Sequence, residues 1–132
     1  MSTELLEQLP AFIRGHQLAI IPATASGKDD TYDGSHVRTE DIADAHIILS
    51  FDKETGEHRP VLDIDFELHT VPSSTPGHFH LYLDKPMSWA KYEALIGALA
   101  EAGVIEKGYA SVSALREYTS VRLPWVKKAE AE

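Results

Sequence analysis

Residues 61–84 read V-L-D-I-D-F-E-L-H-T-V-P-S-S-T-P-G-H-F-H-L-Y-L-D. Side chains alternate between the two faces of a strand, so the stretch predicts two strands, each apolar on one face. In the first, 61–68, Leu62, Ile64, Phe66 and Leu68 point one way and Asp63, Asp65 and Glu67 the other. In the second, Phe79, Leu81 and Leu83 oppose His78, His80, Tyr82 and Asp84. His69 to Gly77 between them carries two prolines, a glycine and two serines, which is turn chemistry. Paired in this way, the strands share an apolar core face and gather acids and imidazoles on the opposite surface.

Three same-face carboxylates repel one another unless a positive charge sits among them. Asp63 and Asp65, two apart on a strand, stand roughly 6.5–7 Å apart along the backbone. Oxygen ligands at that spacing suit Mg²⁺ or Mn²⁺, and an imidazole from a neighbouring strand shifts the preference toward Mn²⁺ or Zn²⁺. The expected metal ligands are Asp63 and Asp65, with Glu67 or His78 as a third. A hard metal so held typically binds nucleotide phosphates.

Working outward, 16–23 (H-Q-L-A-I-I-P-A) reads as a strand closed by Pro22, and 45–52 (A-H-I-I-L-S-F-D) as a strand forming a hairpin with 61–68. Residues 24–44 are polar and turn-rich, and read as a long loop. Residues 3–13 suggest a short helix with Thr3 as N-cap, limited by Pro10. The clearest helix is 88–102, with Ser88 as cap and Gly103 at its end. Its Trp89, Tyr92, Leu95, Ile96 and Leu99 form one apolar stripe directed at the core. Strands are expected at 109–114 and 119–123, Trp125 is expected to anchor in the core, and 129–132 to fray. The fold class expected is α+β, a mainly antiparallel sheet with helices packed on one face.

The chain has 132 residues and a formal net charge of −9. This is the length of one domain, and no internal boundary is visible in the composition. Residues 1–84 hold five Lys/Arg against fifteen Asp/Glu, whereas 85–128 hold seven against four. The overall field opposes non-specific adhesion to nucleic acid or an anionic membrane. Without cysteine there is no disulfide or thiolate chemistry. No apolar run spans a bilayer and no signal peptide is evident, so the expected location is the cytoplasm. S-G-K at 26–28 lacks the glycine spacing of a phosphate-binding loop. No histidine follows His80, which removes the second metal motif of a cupin.

V-L-D-I-D at 61–65, P-S-S-T-P-G-H-F-H-L-Y-L at 72–83 and T-S-V-R-L-P-W-V-K-K at 119–128 together resemble the archaeo-eukaryotic primase superfamily. The likeness is to its primase-polymerase and replication-protein branches of phages and plasmids, and the chain is also similar to small actinobacterial phage proteins. The resemblance implies Asp63 and Asp65 as the catalytic metal pair and His80 as the residue contacting nucleotide phosphates. Arg122 falls at the R-L-P arginine, with Lys127 or Lys128 neutralising phosphate charge. Trp125 stands where the pattern has glycine, and the third acidic position is met only by Glu106 or Glu117. The implied function is a small primase-like domain binding a nucleotide or nucleic-acid end through Mg²⁺ or Mn²⁺, with or without nucleotidyl transfer. If phage-encoded, it would work in the host cytoplasm. The alternative is a non-catalytic phage accessory protein of degenerate primase-like fold that binds a host or replication protein.

Overall fold

Strand β1, His16–Ile20, is buried over four consecutive residues, His16 to Ala19, so both of its faces are covered. The computed structural model describes residues 2–22 and 36–127 of the chain. A short helix α1, Ser2–Leu6, and a 3₁₀ turn, Ala11–Ile13, lead into β1. The helix begins at Ser2, so Thr3 lies inside it and is not its cap. Pro10 opens the 3₁₀ turn, where a missing N–H removes no helical bond. β1 is the centre of a three-stranded antiparallel sheet, flanked by β2, Val37–Thr39, and β3, Ile47–Asp52. The strands expected at 16–23 and 45–52 are therefore present, slightly shortened. Of the loop expected at 24–44, residues 24–35 lie outside the described residues.

The centre of this sheet is polar as well as apolar. The register of β1 against β3 slips between His16↔Asp52 and Leu18↔Ile48. In the gap, the His16 imidazole lies 2.8 Å from the Leu49 carbonyl. A carbonyl only accepts, so the ring donates through Nδ1–H, and Nε2 is buried with no hydrogen-bond partner among the described residues. Buried Gln17 donates to the carbonyls of Leu18 and Thr39 at 2.9 and 3.1 Å, and to Glu40 at 3.3 Å. Glu40 is also paired with Lys53. These two partners, Lys53 first, hold its carboxyl below the usual carboxylate range.

β3 ends in a tight loop, Asp52 to Glu57, organised by the buried Asp52. The Glu54 amide donates to one carboxylate oxygen at 2.9 Å and the Arg59 guanidinium to the other at 2.6 Å. The Asp52 amide donates to the Glu57 carbonyl, and Gly56 takes a positive φ of 75° to complete the turn. The Glu54 amide and then Arg59 hold the Asp52 carboxyl below its usual value, against burial, which pushes the other way.

The chain folds as two compact units, Met1–Asp63 and Ile64–Glu132, which meet at a point that composition does not mark. The second unit holds an antiparallel hairpin, β4, Leu68–Pro72, with β5, Phe79–Leu83. It also holds two helices, α2, Trp89–Glu101, and α3, Lys107–Arg116. The class is α+β, with strands in two antiparallel sheets. α2 has the expected caps. Ser88 Oγ accepts from the Lys91 amide at 3.3 Å, and Gly103 at φ 81° allows Val104 to bond back to Leu99 at 2.8 Å. Ile96 is buried, and Trp89, Tyr92, Leu95 and Leu99 lie on the same stripe, with Trp89, Tyr92 and Leu99 half-buried.

Residues 109–114, expected as a strand, lie within α3, and 119–123 form no strand. Ala110 and Ala114 of α3 and Gly97 of α2 line a cleft of about 210 Å³ shared by the two helices, and Ser113 is buried. Trp125, expected in the core, is 76% exposed.

Two measurements check these local accounts. Ser88→Ala removes the α2 cap and lowers unfolding stability by about 1 kcal/mol in urea denaturation; an unchanged midpoint would show the cap to be dispensable. For Asp52, a folded-state value below the unfolded one, about 3.9, means its contribution is complete above that unfolded value. It is lost as pH falls through the folded value. Asp52→Asn should therefore destabilise the protein at pH 7 and flatten the acid side of a Tm-against-pH curve. A variant curve parallel to the wild type would contradict this.

Candidate functional site

The strand expected at 61–68 does not form; residues 60–67 are irregular, and the strand that pairs with β5 starts at Leu68. Beyond β3 the returning chain makes one bridge, Phe51↔His58, and the Arg59 amide donates to the Ser50 carbonyl at 2.9 Å. These contacts make Ser50 and Arg59 a bonded pair, so the next bonded pair in this register is Ile48 with Val61, and no bridge forms there. No sheet therefore aligns Asp63, Asp65 and Glu67 on one face.

Asp63 is the last residue of the first unit and is exposed. Asp65 and Glu67 lie in the second unit, and both are exposed. The Glu67 carbonyl accepts from the Asp84 amide at 2.8 Å, closing the open end of the hairpin. Among the described residues, no group of three or more His, Asp or Glu side chains is placed to share a metal ion. Arg122 and Lys127 do meet: the guanidinium donates to the Lys127 carbonyl at 3.4 Å. Lys128 lies outside the residues on which the site is built.

The hairpin that carries the histidines is set by its turn. The His78 amide donates to the Thr75 carbonyl at 3.1 Å across Pro76 and Gly77, and Gly77 has φ 80°. This is the type II pattern of proline followed by a left-handed glycine. From there the register runs Pro72↔Phe79, Val71↔His80, Thr70↔Leu81, His69↔Tyr82 and Leu68↔Leu83. Directly opposed residues share a face. Leu68, Thr70, Pro72, Phe79, Leu81 and Leu83 therefore form one face, and His69, Val71, His80 and Tyr82 the other.

The alternation read in β5 holds, but its apolar face is open, with Phe79 at 66% and Leu81 at 55% exposure, while Tyr82 on the other face is exposed as well. His80 is half-buried, and its Nδ1 is buried without a hydrogen-bond partner among the described residues. His78 sits at the end of the turn, exposed, with its carbonyl accepting from the Ser73 amide at 2.9 Å.

Next to β5 lies a groove of about 460 Å³, lined by Leu81, Tyr82 and Leu83, by Lys85, Met87, Tyr92 and Tyr109, and by residues 119–121. Two tyrosines fix its far wall. The Tyr92 hydroxyl is 2.7 Å from Thr119 Oγ1, and the Tyr109 hydroxyl donates to the Ser120 carbonyl at 2.9 Å. Sequence reasoning missed this groove, because its wall residues 119–121 read as a strand. The one signal available is Tyr92 on the expected helix; Tyr109 falls in a segment expected as a strand, and its partner Ser120 lies 11 residues on.

No protein-family model matches the chain, and no curated protein or solved structure is significantly similar to it. Among the described residues, no helix is long and apolar enough to cross a membrane.

Proposed function

We propose that this protein is a non-catalytic binding module that engages another protein through the β4–β5 hairpin and its adjoining groove. The observation that carries this reading is the open apolar face of the hairpin, where Leu68, Phe79, Leu81 and Leu83 stand together and exposed. Water-facing apolar side chains gathered in one patch mark interaction surfaces. The groove beside them adds tyrosines, a residue type enriched in interfaces. A host or replication protein in the cytoplasm is the class of partner that this reading, together with the resemblance to phage replication proteins, brings forward.

A second reading keeps the primase-like site, with a nucleotide held through Mg²⁺ or Mn²⁺. His80 favours it, because its buried Nδ1 has hydrogen-bonding capacity that the described residues leave unused. The irregular, unaligned setting of Asp63, Asp65 and Glu67 weighs against it.

Calorimetric titration separates the two. Mn²⁺ added to the protein, with and without a nucleoside triphosphate, should give no saturable heat, and an apolar fluorescent dye should bind and lose most of its signal in a Phe79→Ser/Leu81→Ser variant. Saturable Mn²⁺ binding that the nucleotide strengthens and Asp63→Asn abolishes would overturn the binding-module reading.

A further inference from the structure

Bonded and non-bonded pairs alternate along an antiparallel ladder. The Ser73 amide bonds to the His78 carbonyl at one end of the hairpin, and the Asp84 amide to the Glu67 carbonyl at the other. Both ends fall on the same parity, so His80 and Tyr82 also turn their N–H and C=O toward β4. Phe79, Leu81 and Leu83 turn theirs outward. Among the described residues, none of these outward groups has a hydrogen-bond partner.

The two outer edges of the hairpin are not equivalent. On β4 the outward residues are Leu68, Thr70 and Pro72, and Pro72 has no N–H, which blunts that edge. The β5 edge carries no such block. It also adjoins the groove: three consecutive residues, Leu81, Tyr82 and Leu83, line it. A strand presents alternate residues on each face, so a run of consecutive residues is the mark of its edge.

We infer that the β5 edge takes up an extended segment of a partner protein as an added strand. This deepens, and rests on, the binding-module reading. Main-chain bonds to Phe79, Leu81 and Leu83 hold the segment in register, and alternate side chains enter the groove between β5 and the wall made by Tyr92, Tyr109 and Val121. Lys85 is the charged residue among those lining the groove. Charge complementarity therefore asks for an acidic residue on the segment, among otherwise apolar inward positions. The occupant is an extended, apolar-alternating peptide bearing one carboxylate.

The test uses the full chain and a synthetic probe, acetyl-Thr-Val-Thr-Glu-Thr-Val-Thr-amide, which puts Val, Glu and Val on one face, with a twin N-methylated at alternate residues. Saturable binding of the first, at least tenfold weaker binding of the twin, and at least tenfold weaker binding by Leu81→Pro are expected. That proline removes an outward N–H and no β4–β5 bond, and circular dichroism checks that the variant folds. Lys85→Glu should weaken the probe severalfold and recover binding when the probe's Glu is replaced by Lys. Equal binding of both peptides, unaffected by Leu81→Pro, would overturn strand addition while leaving partner binding through the apolar face intact. Absence of binding by either peptide would also overturn strand addition. The reading beneath it fails separately, on the nucleotide-strengthened Mn²⁺ binding described above.

Discussion

The turn at Thr75–His78 is the constraint on which the second unit's surface depends. Proline sets φ for the first central position, and only a residue tolerant of φ near 80°, here Gly77, completes the turn. With the turn fixed, the register of β4 and β5 has no freedom. A slip of one residue would exchange every side chain between faces and reverse which amides point outward. The turn thus places the side chains of Phe79, Leu81 and Leu83 on one face and turns their amides and carbonyls to the outer edge. It also places His80 and Tyr82 together on the opposite face.

A different constraint governs the first unit. Its central strand buries His16, Gln17 and, across the register slip, Asp52, and their partners are largely backbone groups of the same sheet. Buried polar groups are costly unless bonded, so these contacts fix β1 against both neighbours. The returning chain bridges to β3 at Phe51↔His58 and bonds Arg59 to Ser50, and no ladder follows past Arg59. The acids that follow, Asp63, Asp65 and Glu67, are left on irregular backbone.

Much of the framework was legible in the sequence, and the misses have physical causes. Strands β1, β3 and β5 and helix α2 follow from apolar periodicity and from Ser88, Pro22 and Gly103 acting locally. The strand expected at 61–68 satisfies the period-2 rule but has no partner: the returning chain leaves the β3 ladder after Arg59, and alternation does not encode pairing. β4 was hidden within H-T-V-P, where a proline reads as turn yet is accommodated on an outward-facing position of an edge strand. In α3, Tyr109 and Val112 favour a strand, whereas Ala110 and Ala114 favour a helix, and the helix forms. The candidate site suffered most, since face and burial were treated as one question. The alternation in β5 was read correctly, while the side left open to solvent depends on tertiary packing that alternation does not encode.

The central claim is the register of β5 and the freedom of its outer edge, and residue-resolved amide hydrogen exchange on the full chain tests it most directly. The account predicts alternation along one strand: His80 and Tyr82 exchange slowly, and Phe79, Leu81 and Leu83 exchange fast. Slow exchange at Phe79, Leu81 and Leu83 would mean that their edge is already paired or that the register is shifted, and would contradict it.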